Sequence, residues 1–259
     1  AETVQSLALP LPLLPCLDSG ETMTPAKKAD ESVKTILNRH PAMVADHPRA
    51  VDVMIVDRAN LLSVGQALPG AGGFMIDLSN LPPMDAEHLD GLLVALRSLA
   101  VANAPAGLVD AIGRVQALHA RAAHHGLDIA MARIEDGSGI SEAAALPMTG
   151  RSKKEHLTDG TTQTGFVLGF AASGHDLAVL MASGVDIVSC AAPMADTEDI
   201  AYWLHGTQED LAAELRRIGI NSIDMLERKH LRALNHETAA VSGLRLAGYE
   251  RPLPHWFAR

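Results

Sequence analysis

Aromatic side chains are scarce in this sequence, at 3% of the residues, so a groove built from stacked rings for nucleobases or sugars is excluded. Cysteine is nearly absent. Cys16 and Cys190 stand alone, with no neighbour at metal or redox spacing, which excludes a disulfide framework and a cysteine-held zinc or iron–sulfur site. This usage fits a reducing compartment, and a cytoplasmic location is expected. Basic residues are the minority charge, 21 against 31 acidic ones, for a net of -10. Basic runs are confined to Lys27-Lys28 and Arg151-Ser152-Lys153-Lys154, so no nucleic acid and no anionic membrane is expected as a partner. No apolar run is long enough to span a bilayer. Leu7 to Pro15 is apolar but is interrupted by Pro10 and Pro12 and has no basic flank, which argues against a signal peptide. An extended arm packed on its own domain or on a partner is the expectation there.

What is present is a core. The 259 residues are 47% hydrophobic, filled mainly by Ala, Leu, Val, Ile and Met, which is enough for one large domain. A helix is expected after Thr24-Pro25, from Ala29 to Asn38. The β-branched run Val51 to Val56 predicts a strand, followed by the glycine-rich turn Leu68 to Gly73. Leu89, Leu92, Leu93, Leu96 and Leu99 form one stripe of a helix over 85–100, and a second helix over 111–125 ends at Gly126. Leu127 to Ala132 predicts a buried strand that delivers the chain into Glu135-Asp136-Gly137-Ser138-Gly139. Arg151 to Gly165 has the composition of a mobile or interface loop. Gly165 to Phe170, Asp176 to Ser183 and Val185 to Ser189 form a β-α-β unit, and the pattern is that of parallel α/β architecture. Helices are expected over 199–204, 207–218, 222–226 and 228–242.

The order of these pieces resembles the FMN-binding synthase domain of the glutamate synthase family. Gly65-Gln66-Ala67-Leu68-Pro69-Gly70-Ala71-Gly72-Gly73 is similar to its Gly-Ala-Lys-Pro-Gly-x-Gly-Gly loop, and Ile76 to Pro83 to its Asp-Leu-Ile-Ser-Pro-Pro-Pro-His-His. Glu135 to Gly139 sits at its Asp-Gly-Gly-Thr-Gly, and Asp176 to Val188 resembles its Asp-Val-Ala…Leu-Gly-Ala-Asp-Ala-Val unit. Leu211 to Gly248 follows its C-terminal helical tail. The resemblance implies a (β/α)8 TIM-barrel-like fold, with an N-terminal arm and linker over 1–50, the barrel over 51–195 and a small helical tail over 196–259. The span between Pro147 and Gly169 is too short for the family's full β-α-β passage, so an incomplete barrel is an open alternative. Mapped onto this sequence, the cofactor-binding positions are Gly70, Gly72 and Gly73, then Asp136, Gly137, Ser138 and Gly139, then Ser173, Gly174 and His175.

Departures from the family decide the functional expectation. Leu68 and the Gly107-Leu108-Val109-Asp110 strand replace the family's cations, and Cys190 alone cannot hold its iron–sulfur cluster. Ala171-Ala172-Ser173-Gly174-His175 replaces the phosphate loop and loses its arginine. The family's cofactor is FMN. Two readings follow: an accessory, hetero-oligomeric subunit of an oxidoreductase complex in amine or amino-acid nitrogen metabolism, or an FMN-dependent oxidoreductase with a modified flavin site. No catalytic residue is assigned and no metal site is expected.

Beside these readings stand plainer ones. Gly70, Gly72 and Gly73 are expected to supply positive-φ turn geometry, His119, His124 and His125 to be helix-end cations, and Lys153 to His156 to be a solvated face. The proline-stiffened C-terminus, with Pro252, Pro254, Trp256 and Phe257, is a candidate anchor into another subunit.

Overall fold

The computed structural model describes residues 11–17, 39–135, 137–192 and 197–249. Eight parallel strands close into a barrel in chain order: β1 (Leu13–Leu17), β2 (Met43–Val44), β3 (Val53–Val56), β4 (Gly73–Asp77), β5 (Ala106–Ala111), β6 (Ile129–Arg133), β7 (Gln163–Leu168) and β8 (Ile187–Ala191). The helices are α1 (Val64–Ala67), α2 (Ala86–Leu99), α3 (Val115–His124), α4 (Glu142–His156), α5 (Gly174–Ala182), α6 (Thr197–Ile218) and α7 (His236–Ser242). Following the pairing register once round the barrel from Ser189 returns to the level of residue 181. This shift of eight residues over eight strands is that of the (β/α)8 barrel.

The barrel is complete, which corrects the expectation of a missing unit. Two strands lie inside the stretch read as an arm: Leu13–Leu17 pairs with both β2 and β8, so the apolar run enters the barrel wall rather than a surface. The segment expected to be a loop carries the last six residues of α4, which begins at Glu142 and continues past Pro147. Pro147 tolerates this position near the helix start, and His156 ends the helix seven residues before β7. In the tail, one helix runs through Gly206 where two were expected, and the 228–242 helix is instead a short 3-10 turn, Arg228–His230, followed by α7. The expected 29–38 helix and the C-terminal aromatics lie outside the described residues.

Alternation along the strands separates an interior from an outer layer. Leu14, Met43, Val53, Met75, Val109, Ile129, Met131 and Ile187 form the interior cluster. Their neighbours, such as Leu13, Met54, Phe74, Leu108, Phe166 and Val188, pack outward against helices. With a shear of eight, interior residues stack in layers of four drawn from alternate strands. Met43, Met75, Met131 and Ser189 share one layer, and Leu14, Val53, Gly107 and Gly165 lie below it. The two glycines are hollows for the methionines. A Cβ at Gly107 would stand 2.4 Å from Met75 Sδ, and one at Gly165 would stand 2.2 Å from Met131 Cγ.

The N-terminal end of the barrel is closed by a repeated device. Asp52, Asp128 and Asp186 each precede a strand, and each accepts a backbone N–H from the start of the preceding one: Ala42 at 3.0 Å, Ala106 at 2.9 Å and Thr164 at 2.8 Å. Arg49 holds Asp52 and Lys153 holds Asp186, both at 2.6 Å. These carboxylates pin neighbouring strands where the ladder begins, a stabilising role typical of that face.

Candidate functional site

Ligand sites in this architecture lie where the strands end, at the C-terminal mouth. The top interior layer there holds Asp77, the last residue of β4, and Arg133, the last of β6, with the small Ala45 and Ala191 at the equivalent positions of β2 and β8. Asp77 is 1% exposed, and Arg133 meets it through both terminal nitrogens, at 2.8 Å on Oδ2 and 3.1 Å on Oδ1. Ser79 Oγ donates to Oδ1 at 2.9 Å and accepts from Arg133 at 2.6 Å, and Asn80 Nδ2 donates to Oδ2 at 2.9 Å. Backbone N–H groups of Ser79 and Asn80 complete the set. Below lies an apolar floor of Cys16, Ile55, Val109 and Val167.

A second pair flanks the first. Asp110 on β5 accepts from Arg114, which also stands 3.7 Å from Glu135 after β6. Both arginines are thus matched to carboxylates.

The positions suggested by resemblance do not form one cradle. Gly70 and Gly72 precede β4 and Gly73 opens it, so they sit at the opposite end of the barrel from the mouth. None has a positive φ. Gly72 and Gly73 answer a close approach instead: a Cβ at Gly72 would stand 2.6 Å from Ala50 O, and one at Gly73 2.7 Å from Pro105 O. Gly137 and Gly139 do lie at the mouth, after β6, with φ of 75° and 69° and with Ser138 exposed between them. Asp136 lies outside the described residues.

Ser173, Gly174 and His175 form the turn from β7 into α5, also at the mouth end, but the Ser173 donors and the Asp176 N–H are already used. The Asp176 carboxylate accepts the Ser173 N–H at 2.9 Å and its hydroxyl at 2.6 Å, while Ser173 Oγ accepts the Asp176 N–H at 3.2 Å. This capping box puts a negative charge where an anion would otherwise dock. Helix α6 seals the other side. A Cβ at Gly174 would stand 2.2 Å from Leu211 N, and Ala172 O accepts from Trp203 Nε1 at 2.9 Å and from Thr207. His175 faces Glu214 at 3.8 Å.

These residues do not fit FMN as the family resemblance implies it. The phosphate turn is filled by its own acid and by α6, and the position aligned with the family's strand cation, Leu108, is buried in the outer layer. An iron–sulfur cluster fits no better. Cys16 joins the interior floor while Cys190 belongs to the outer layer, where burial pushes its thiol up to about 11. Among the described residues no three His, Cys, Asp or Glu side chains gather as metal ligands. No helix among them is long and apolar enough to cross a membrane.

For His119 the helix-end expectation is corrected, while His124 does lie in the last turn of α3. His119 is fully buried, with Nδ1 at 2.9 Å from Ser152 Oγ, and burial lowers its pKa to about 4. It is a neutral packing residue between α3 and α4. Lys153, read as solvated, is tied to Asp186.

Asp77 and Arg133 inside the mouth, and Asp110 and Arg114 beside it on the outer side of the wall, escaped the motif reading. A usable signal exists: in Met75-Ile76-Asp77, Leu108-Val109-Asp110 and Met131-Ala132-Arg133, one charge closes an apolar run, which marks a strand's exit from the core.

No family model matches this chain, and no curated protein matches it. Among solved structures it is similar to a double mutant of flavocytochrome b2 with pyruvate bound, at 11% identity over 73% of this chain and 60% of that chain, with a TM-score of 0.46. It is likewise similar to a mutant flavocytochrome b2 with benzoylformate, at 12% identity over 73% of this chain and 59% of that chain, with a TM-score of 0.45. The chain thus spans about three fifths of the length of these structures, and likeness at this level transfers no residue role.

Proposed function

We propose that this chain is a glutamate-synthase-like barrel whose flavin site has been closed by protein contacts, and that it serves as a non-catalytic subunit of an oxidoreductase assembly in amine or amino-acid nitrogen metabolism. The observation that carries the reading is the β7–α5 turn. There the Asp176 carboxylate takes the Ser173 N–H and hydroxyl and sets a negative charge in the turn, and Gly174 packs against the backbone of α6. The mouth supports the same reading, because Arg133 is held by Asp77, and beside the mouth Arg114 is held by Asp110, leaving both matched internally. A flavin phosphate would have to displace a paired carboxylate and part of a packed helix. What remains is a rigid scaffold, and its contribution to an assembly is surface.

The test is native purification of the chain with untagged termini, a visible spectrum of the product and titration with FMN followed by calorimetry. The expected result is co-purification with larger chains, any flavin residing on them, and no saturable heat with FMN for this chain alone. A chain that runs alone with stoichiometric FMN would overturn the proposal and establish the alternative, an FMN-dependent oxidoreductase with a modified site.

A further inference from the structure

Outside the barrel wall, between the loop that follows β4 and helix α3, lies a cavity of about 300 Å³. Two charged groups with unmet needs line it. The first is Asp110, whose side chain is 2% exposed. Every donor that reaches it lands on Oδ1: the Ala111 N–H at 2.8 Å, Arg114 Nε at 2.9 Å and Arg114 Nη2 at 2.6 Å. Oδ2 receives no hydrogen bond from any described residue. The carboxylate thus presents to the cavity an oxygen that no protein group donates to, an acceptor open to a cationic N–H.

The second is Arg121. It lies in α3, seven residues after Arg114 at that helix's N-cap, and both side chains line the cavity. Arg121 is half-buried against the cavity, and no carboxylate among the described residues pairs with it. Its charge is felt instead at His125, whose pKa it helps to lower. In a chain with a net charge of -10, a half-buried guanidinium without an acid is an open position for an anion.

The complementary molecule has a cation at one end and an anion at the other. We propose that this cavity binds a small zwitterionic amino acid, its ammonium donating to Asp110 Oδ2 and its carboxylate accepting from Arg121. Leu78, Leu81, Met84 and Leu89 supply apolar walls for the carbon chain between the two ends. Arg114 touches neither end. It holds the carboxylate in place through Oδ1 and is itself steadied by Glu135 at 3.7 Å. A ligand with one charge satisfies one wall and leaves the other unmet, so both ends are required. The site lies outside the barrel interior and does not depend on whether the mouth holds a flavin.

The test is calorimetry of the full chain at low ionic strength with glycine, β-alanine and γ-aminobutyrate, whose charges are separated by one further methylene at each step. Propionate and propylamine serve as single-charge controls. At least one zwitterion is expected to bind saturably with one site per chain, and both controls at least tenfold more weakly. Arg121→Gln is expected to reduce zwitterion binding at least tenfold while the chain keeps its circular dichroism spectrum and unfolding midpoint. Asp110→Asn, which keeps Oδ1 as an acceptor, should do the same. No saturable heat from any of the three zwitterions, equal binding of propionate, or unchanged affinity in Arg121→Gln would each overturn the assignment.

Discussion

Asp77 and Arg133 face each other across β5, one residue ending β4 and the other ending β6, and meet through two hydrogen bonds of 2.8 and 3.1 Å. The carboxylate is buried and the guanidinium partly exposed, at 1% and 24%. Removing one partner therefore differs sharply from removing both. Arg133→Ala strands a buried charge and is expected to cost about 3–5 kcal/mol in urea unfolding. The double change Asp77→Asn with Arg133→Met keeps Oδ1 as the acceptor for Ser79 and for the Asn80 backbone N–H, and is expected to cost less than Arg133→Ala alone. Equal losses in the two variants would show that the pair does not act as a unit.

Gly165 and Met131 make a prediction about the barrel interior. Because a Cβ at Gly165 would meet Met131 Cγ at 2.2 Å, Gly165→Ala should destabilise by about 1–3 kcal/mol, although alanine is otherwise the better residue in a strand. Met131→Ala opens a cavity and should cost about 2–5 kcal/mol on its own. Combined, the two should cost less than the sum of the singles, because the new methyl occupies space the methionine left. A double-mutant cycle measured by denaturant unfolding reads this coupling directly.

Much of this barrel was visible in the sequence, and the reasons for the misses are physical. Helix α2 announced itself through its leucine stripe and Asp85, whose side chain caps the His88 N–H at 2.9 Å. Strands β3, β6, β7 and β8 were apolar runs bounded by turns. Helix α4 was hidden because its Arg-Ser-Lys-Lys-Glu-His end is polar and Pro147 interrupts its pattern, and with it went the eighth unit of the fold. Strand β1 was hidden by Pro12 just before it and Pro15 at its middle, which break the usual strand composition. The site was less legible than the fold. Glycines in a family-like string were read as a ligand cradle, yet Gly72 and Gly73 answer to the carbonyls of Ala50 and Pro105 at the far end of the barrel. The repeated apolar-Asp-apolar signature at Asp52, Asp128 and Asp186 was present in the sequence and marked three strand starts. What no linear reading supplies is the pairing of Asp77 with Arg133, fifty-six residues apart.

Ser189 sits in the methionine layer with its hydroxyl buried and without a hydrogen-bond partner. The desolvation of that oxygen is uncompensated. Ser189→Ala is therefore expected to raise stability by about 1 kcal/mol, seen as a higher urea midpoint with an unchanged slope. A loss of stability on this change would mean that the hydroxyl has a partner, such as a bound water, inside the barrel.

His119 sets a pH dependence whose direction follows from its burial. Its pKa is lowered from 6.5 to about 4, with burial the dominant cause, His156 and Lys153 adding to it, and the Ser152 contact and Asp186 opposing. Below pH 6.5 the unfolded chain takes up a proton at this ring while the folded chain does not. Stability from neutral His119 is thus complete above that pH and is lost as pH falls toward 4, at about 1.4 kcal/mol per unit and roughly 3 kcal/mol in all. His40 and His125, also lowered by burial, add in the same direction. Replacing the ring by a group that cannot charge, His119→Leu, should lower stability at pH 7.5 by removing the Ser152 contact, yet flatten the fall between pH 6.5 and 4. Thermal unfolding midpoints of both proteins over this range give the comparison, and parallel curves would place the acid sensitivity elsewhere.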